Sequence, residues 1–323
     1  MTNRAAPPSR LADLLDRHVE VHAGGAGRRR AAQSARVESK VEVPPAVVER
    51  RSFAAYNQIP AYWSNIDFSD VDVLNVGPAG VQADGTFGLY KSAQTGDLAN
   101  RFKWVIQTAR AQNPHIKIIV SQWWGDGTGI WGSALSALKS GADIQKYTSS
   151  VYDFIAAYLN TAGGVDGYDI DYESNNVSSS TAAITSQIRA QLSRLSKASG
   201  GRPFYLTVSP ASTAYLKGAV GSLDLVNMQT YAGGIGLTPQ SFLTLGLKST
   251  QLLYGICPET NCGTPSLPQV EQAYTANKLA GIHLWRLNSD NYQYEGQVQR
   301  QVYNFLHGTS AAPATPKTSP PGN

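Results

Sequence analysis

Residues 165–173 read VDGYDIDYE, a short segment in which acids alternate with large apolar and aromatic residues. Successive side chains of a β-strand point to opposite faces, so Asp169, Asp171 and Glu173 share one face while Ile170 and the tyrosines share the other. In a parallel barrel the second face packs under the helices and the first lines the lumen. We therefore expect three carboxylates to climb the lumen toward its C-terminal mouth in steps of roughly 6–7 Å.

Seven further segments are similar to this strand in length and in their content of β-branched and aromatic residues. They are residues 52–57, 71–76, 116–121, 204–208, 225–230, 252–256 and 282–287. Amphipathic segments with helical spacing lie between them, such as 98–112, 144–159, 182–197 and 268–280. This alternation of strand and helix predicts an α/β fold, a closed (β/α)8 TIM barrel, with an open doubly wound sheet as the alternative.

The two ends of the chain differ from this middle part in composition. Residues 1–50 are rich in Ala, Arg and Gly, and residues 309–323 are rich in Pro, Ser, Thr and Ala. We predict a flexible basic leader over 1–50, one barrel domain over 51–308 and a Pro-rich tail over 309–323.

Charge and hydropathy exclude two classes of partner. The first 51 residues account for the chain's net charge of +4, so the folded part is neutral and lacks the basic stripe of a nucleic-acid-binding protein. No apolar segment approaches the length of a membrane span. We expect a monomer, and the low content of charged residues, 15%, suits an extracellular protein. Residues 11–21 are interrupted by charges, however, and make a poor signal peptide.

The only two cysteines of the sequence, Cys257 and Cys262, lie close together in a loop that contains proline. A disulfide closing this loop would contribute roughly 2 kcal/mol, which fixes a loop rather than a fold. Two free thiols are the alternative, since the compartment decides which form persists. Two cysteines without a histidine cluster make a poor metal site.

Acids in the lumen indicate chemistry, because burying one unpaired carboxylate costs several kcal/mol. Carboxylates stacked at low dielectric cannot all ionise freely, so we expect at least one raised pKa and a protonated acid at neutral pH. Glycoside cleavage needs such an acid, since the leaving oxygen must be protonated. A Ca²⁺ or Mg²⁺ site is the rival interpretation, but large apolar residues interleave the acids and the spacing is not that of a calcium loop. We therefore expect no metal and no cofactor.

Residues 166–173 resemble the Asp-Gly-x-Asp-x-Asp-x-Glu signature of family 18 glycoside hydrolases, the chitinases and endo-β-N-acetylglucosaminidases, at every fixed position. In that family the signature closes the fourth barrel strand, and here it lies on the fourth predicted strand. The resemblance implies that Glu173 is the general acid/base, that Asp171 orients and stabilises the substrate's N-acetyl group, and that Asp169 supports Asp171.

Two other segments are similar to the same family. Residues 227–231, NMQTY, resemble its Gln-x-Tyr variant and imply that Gln229 and Tyr231 line the site, with the tyrosine hydroxyl on the acetamido oxygen. Residues 281–285, GIHLW, resemble the closing strand, and a flat indole at Trp285 suits the apolar face of the reacting sugar. Tyr56 resembles a family tyrosine at the end of strand one.

The chain departs from the family pattern on strand three, where Ser121 is followed by Trp123 and Trp124 instead of two glycines. We expect these tryptophans to lie on the loop after the strand and to serve as sugar platforms in a reshaped cleft. Ala232 stands where many relatives have Asp or Asn.

The function implied by the resemblance is an endo-acting chitinase. It would hydrolyse β-1,4 bonds next to N-acetylglucosamine by substrate-assisted, retaining catalysis, with chitin or another N-acetylglucosamine-containing glycan as ligand. An endo-β-N-acetylglucosaminidase acting on the chitobiose core of N-glycans is one alternative. A non-hydrolytic lectin of the same fold is another, although family lectins usually lose the equivalent of Glu173.

Overall fold

The computed structural model describes residues 46–53, 66–89, 98–124, 135, 138–173, 180–234, 236–287 and 291–310. Within these residues nine strands form one sheet: β1 Val47–Phe53, β2 Val73–Val81, β3 Phe87–Leu89, β4 Lys117–Trp124, β5 Gly167–Tyr172, β6 Tyr205–Pro210, β7 Leu225–Met228, β8 Leu252–Ile256 and β9 Gly281–Leu287. Eight strands are parallel in the order β1-β9-β8-β7-β6-β5-β4-β2, and β1 also pairs with β2, which closes the barrel. Only β3 is antiparallel, in a hairpin with β2. The barrel prediction is confirmed and the open sheet is wrong.

Helices surround this barrel. They are α1 Leu98–Gln112, α2 Gly141–Tyr158, α3 Ser180–Ala198, α4 Pro239–Leu243, α5 Leu267–Asn277 and α6 Tyr292–His307. The sequence predicts four of them, whereas α4 and α6 lie outside the segments given above. Ser140 caps the N-terminus of α2, where its hydroxyl accepts from the backbone N–H of Asp143 in a capping box, and Gly308 caps the C-terminus of α6 in the left-handed conformation. None of the described helices is long and apolar enough to cross a membrane.

The first strand lies earlier in the chain than predicted. It runs over Val47–Phe53 instead of residues 52–57, so the predicted domain boundary at residue 51 falls inside a strand. Val47, Val48 and Glu49 are completely buried. Charged residues begin at Glu49, in the middle of the strand, so the sequence does not show the usual apolar alternation there. Glu49 faces the lumen and accepts a hydrogen bond of 2.5 Å from the side-chain amide of Asn75 on β2.

The lumen changes from apolar to polar along the strands. Its lowest layer, at the N-terminal ends of the strands, is a separate buried cluster of Val47, Val73, Ile119, Tyr205, Leu225, Leu253 and Ala280. Gly167 belongs to the same level, and a Cβ there would lie 2.3 Å from the backbone oxygen of Tyr205. Two residues further along each strand stand Asn75, Ser121, Asp169 and Asn227, so polar side chains begin one layer higher.

Three aspartates fasten neighbouring strands at the N-terminal end of the barrel. Asp72, Asp166 and Asp224 each stand directly before a strand, and each accepts the backbone N–H of a residue on the preceding parallel strand. The three bonds are Val48 N to Asp72 Oδ2 at 2.8 Å, Ile118 N to Asp166 Oδ2 at 2.7 Å, and Leu206 N to Asp224 Oδ2 at 2.7 Å. This end of the barrel is therefore held by charged side chains as well as by the sheet ladder.

Each of these aspartates also pairs with a basic residue. Asp166 accepts from Arg110 at 2.5 Å and from Arg202 at 2.7 Å. Asp224 pairs with Arg189, yet burial outweighs this ion pair and raises the pKa of Asp224. Burial likewise raises the pKa of Asp72, which lies 3.3 Å from His307 of α6.

Candidate active site

Asp169 is the deepest acid of the predicted ladder, and side chains from three other strands converge on it. Its carboxylate accepts hydrogen bonds from Ser121 at 2.8 Å, Thr207 at 2.6 Å and Ser209 at 3.1 Å, with the amide of Asn227 at 3.5 Å. Asp169 has no exposed surface. The converging donors replace the water that burial removes, so the lumen is built to hold a carboxylate at this height.

Asp171 lies one step nearer the mouth and is 1% exposed. Its Oδ1 accepts a hydrogen bond of 2.8 Å from Nε2 of Gln229. The same nitrogen donates to the backbone oxygen of Ser209 at 2.7 Å, so both of its hydrogens are used and the orientation of the amide is fixed. The structure thereby brings together Asp169, Asp171 and Gln229, three residues selected from the sequence.

Glu173 follows directly after β5 at the C-terminal mouth of the barrel, and its side chain is exposed. The intervening residues Tyr168, Ile170 and Tyr172 belong to the main hydrophobic core, as the alternation of strand faces predicts. Tyr168 contacts the hydroxyl of Tyr147 on α2 at 2.7 Å. Burial raises the pKa of Tyr172, which therefore stays neutral behind the acids.

Tyr231, just after β7, and His283, on β9, pack against each other across β8. Their rings are 5.6 Å apart, both residues are buried, and Nε2 of His283 lies 2.8 Å from the backbone oxygen of Met228. Gly255 on β8 allows this packing, because a Cβ there would lie 2.7 Å from the His283 ring and 2.8 Å from the Tyr231 ring. Strand β7 ends at Met228, two residues before the end of the predicted strand 225–230, so Gln229 stands just beyond the strand, as Tyr231 does.

Trp285 is half-buried near the end of β9. Its indole N–H donates to Oε2 of Glu259 at 2.9 Å, and the adjacent Arg286 donates to Oε1 of the same carboxylate at 2.7 Å. Glu259 lies between Cys257 and Cys262, which form a disulfide with an S–S distance of 2.09 Å and a Cα–Cα distance of 6.0 Å.

Comparison with solved structures gives many proteins with the same architecture. A family 18 chitinase from Cycas revoluta in complex with (GlcNAc)3 superposes with a TM-score of 0.59 at 15% identity, over 80% of this chain and 100% of the other. A fungal endo-β-N-acetylglucosaminidase of family 18 gives 0.56 at 15% identity, over 82% and 99%. A family 18 N-acetylglucosaminidase from Paenibacillus barengoltzii gives 0.55 at 13% identity, over 80% and 99%.

The chain has the family 18 glycoside hydrolase fold. At this level of identity the likeness shows the fold alone. No protein-family model matches the sequence, and no curated protein matches it.

Within the family 18 fold, β4 is longer than the sequence predicts. It continues through Trp123 and Trp124, whose backbones pair in register with Asp171 and Tyr172. The prediction that these tryptophans lie on the loop after the strand is therefore wrong, because aromatic residues extend the ladder where glycines were expected. Their side chains are not described, and Tyr56 lies outside the described residues.

Several polar residues of the site were not selected from the sequence. Ser121, Thr207, Ser209 and Asn227 alternate with apolar residues on their strands, which is the signal that places them in the lumen with Asp169. Glu259 gave no such signal. Among the described residues no group of three or more His, Cys, Asp or Glu is arranged to hold a metal ion.

Proposed function

We propose that this chain is a glycoside hydrolase that cleaves β-1,4 bonds next to N-acetylglucosamine, with chitin as its substrate. The observation that carries the proposal is the placement of Asp171. It is buried, held by Gln229, and two residues before the exposed Glu173 at the barrel mouth. An exposed acid beside a fixed carboxylate is the pairing that glycoside cleavage uses.

The proposed reaction has two steps. In the first, Glu173 donates its proton to the glycosidic oxygen, the bond from that oxygen to the anomeric carbon breaks, and the substrate's own 2-acetamido oxygen attacks the anomeric carbon. In the second, Glu173 takes a proton from water as the water opens the oxazolinium ion at the same carbon. Two displacements at one carbon retain its configuration, which is the substrate-assisted exception to the two-carboxylate scheme.

The other site residues orient this reaction. Asp171 stabilises the positive charge of the oxazolinium ion, and its bond from Gln229 keeps the carboxylate in place. Asp169 supports Asp171 from below through two residues: the hydroxyl of Ser209 bonds Asp169, and the backbone oxygen of Ser209 accepts from the amide of Gln229 that also bonds Asp171. Tyr231 orients the acetamide, and Trp285 forms the floor under the sugar ring.

Two kinds of glycan present the N-acetyl group that this mechanism needs. The neighbours in fold include chitinases, one of them in complex with (GlcNAc)3, and an endo-β-N-acetylglucosaminidase. An aromatic residue at position 123, whose backbone pairs in register with Asp171 at the end of β4, favours chitin, whose sugars offer a succession of apolar faces. The chitobiose core of N-glycans is the alternative substrate.

The test is to assay the purified protein on chito-oligosaccharides beside a high-mannose glycopeptide, together with Glu173→Gln and the control Glu271→Gln on α5. We expect cleavage of the chito-oligosaccharides, a loss of about two to four orders of magnitude in kcat for Glu173→Gln, and no change for the control. Cleavage of the glycopeptide alone would support the alternative substrate. Binding without any cleavage would indicate a lectin, and a Glu173→Gln variant within tenfold of wild type would contradict the assignment of the acid.

A further inference from the structure

Residues 257–262, which we call the disulfide loop, follow β8 and lie against the end of β9. Cys257 is 1% exposed and its backbone N–H donates to the hydroxyl of Thr264 at 2.9 Å. The disulfide to Cys262 closes the loop, and a turn bond of 3.2 Å from the N–H of Cys262 to the oxygen of Glu259 lies within it. Glu259 is thus the central acid of a small closed ring, so its backbone has few alternative positions.

The carboxylate of Glu259 holds two consecutive residues of β9. One oxygen accepts the indole N–H of Trp285 at 2.9 Å and the other accepts from the guanidinium of Arg286 at 2.7 Å. An indole has a single polar hydrogen, so a hydrogen bond to a fixed acceptor determines the direction in which the ring plane turns. Both bonds involve a charged acceptor, which makes them stronger than neutral ones.

The disulfide loop and the residue that follows it are also attached on two other sides. The oxygen of Gly263 accepts from the backbone N–H of Ala232 at 2.7 Å, directly after Tyr231. The oxygen of Pro258 accepts from the side chain of Asn291 at 2.8 Å, at the start of α6. This segment therefore spans from Tyr231 to Trp285, the two residues assigned to the acetamide and to the sugar ring.

We propose that Glu259 is a positioning residue that sets the plane of Trp285 for the sugar, and that the disulfide holds Glu259 in place for this task. The inference rests on the proposed function, in which Trp285 forms the floor of the sugar site. Glu259 acts through the indole and not on the substrate. Its removal should weaken substrate binding more than it slows the chemical step, because a floor contacts the sugar in the ground state and in the transition state.

Kinetics on chito-oligosaccharides test this role. For Glu259→Ala we expect KM to rise about five- to tenfold with kcat within about twofold, and for Glu259→Gln a smaller rise, since the amide keeps one acceptor. The double variant Cys257→Ser with Cys262→Ser should raise KM about two- to threefold. Glu271→Ala is the matched control and should leave KM unchanged. A KM within twofold of wild type for Glu259→Ala would overturn the proposal.

A double-mutant cycle separates positioning from a general effect on loop folding. Trp285→Phe keeps a flat ring but has no N–H, so Glu259→Ala should add less than about twofold to KM in that background. Fully additive effects would mean that Glu259 does not act through the indole and would refute the inference.

The indole N–H resonance of Trp285 gives a readout that does not depend on activity. The resonance is assigned by its loss in Trp285→Phe. In Glu259→Ala, in Glu259→Gln and in wild type treated with a reductant, we expect this resonance to shift and its proton to exchange faster with solvent. In Glu271→Ala it should stay unchanged. If the wild type cleaves no N-acetylglucosamine oligomer, the proposed function fails, while this resonance still decides whether Glu259 holds Trp285. If the wild type is active but the resonance does not move in Glu259→Ala, the positioning role of Glu259 is refuted and the proposed function is not.

Discussion

Replacing Asp166 should destabilise the barrel without altering its chemistry. Asp166 is the first residue of the signature but lies at the N-terminal end of β5, and it is 4% exposed. Its Oδ2 accepts from Arg110 and from the buried N–H of Ile118, and its Oδ1 accepts from Arg202. In Asp166→Ala all three donors lose this carboxylate at once, and the two arginines keep only their longer bonds to the backbone oxygens of Gly164 and Val165.

The magnitude follows from the exposure of those donors. The N–H of Ile118 lies inside the barrel wall, so leaving it unsatisfied costs about 1–3 kcal/mol. The arginine side chains are 15% and 27% exposed, so each can turn partly to water, and losing each ion pair costs about 0.5–1 kcal/mol. We expect Asp166→Ala to lose about 2–5 kcal/mol and Asp166→Asn, which keeps an acceptor oxygen, about 1–3 kcal/mol.

The assay is equilibrium unfolding in urea at pH 7, read as a shift of midpoint at constant slope, alongside kcat of the folded protein on chito-oligosaccharides. Asp153→Asn is the control, since Asp153 is exposed on α2 and surface substitutions change stability by less than about 0.5 kcal/mol. A Asp166→Ala variant as stable as this control would refute the fastening role. A large loss of kcat in the folded variant would show that the signature's first acid reaches the chemistry.

Three further outcomes are expected. Fully deacetylated oligosaccharides should not be cleaved, and a thiazoline analogue of the cyclised intermediate should bind more tightly than the product sugar. Comparable turnover of deacetylated substrate, or a glycosyl ester trapped on Asp171, would contradict the substrate-assisted mechanism. Gly255→Ala should lower the melting temperature and the activity, because its Cβ would lie 2.3 Å from the backbone oxygen of Met228. The control Gly296→Ala, which has open space around it in α6, should leave the melting temperature unchanged or raise it. Equal melting temperatures of the two variants would contradict the close packing at Gly255. Asp70 lies in a short turn before β2, three residues after Asp67, and pairs with Arg300 of α6 at 2.6 Å. Burial, and then the charge of Asp67, outweigh Arg300 and raise the pKa of Asp70 from 3.8 to about 7. The folded chain therefore keeps a proton that the unfolded chain releases, and stability falls as the pH rises through that range. In urea unfolding, the stability of Asp70→Asn should fall less steeply over this pH range than that of the wild type. An unchanged pH dependence of stability would argue against the raised pKa of Asp70.

The alternation of side chains was enough to predict the faces of β5, because the segment is regular and two of its acids are paired within the lumen. The same rule failed on strand one. There the inward residue Glu49 is charged and the next two are arginines, so the segment reads as part of a solvated basic leader. Its burial depends on Asn75 of the neighbouring strand, a partner that only the closed barrel supplies.

Contacts between segments that are distant in the chain could not be predicted from the sequence. That Asp72, Asp166 and Asp224 each bond the strand before them follows from the register of paired strands, which hydrophobic periodicity does not determine. The bond from Trp285 to Glu259 joins residues 26 apart through a loop without periodicity. Both features depend on how the barrel closes and not on local sequence preference.

Most residues of the signature segment 166–173 stabilise the barrel and do not face the proposed site of reaction. In this chain Asp166 fastens β5 to β4, Gly167 lets β6 approach closely, and Tyr168 and Tyr172 pack in the outer core. Below the mouth, the carboxylate of Asp169 is held by hydroxyl groups from both neighbouring strands. Only the last few residues, at the C-terminal end of the strand, lie where barrel enzymes carry out chemistry. A lectin built on this fold would therefore need most of the signature for stability, so the motif as a whole argues for the barrel, and the case for turnover depends on Glu173 and on the fixed carboxylate of Asp171 beside it.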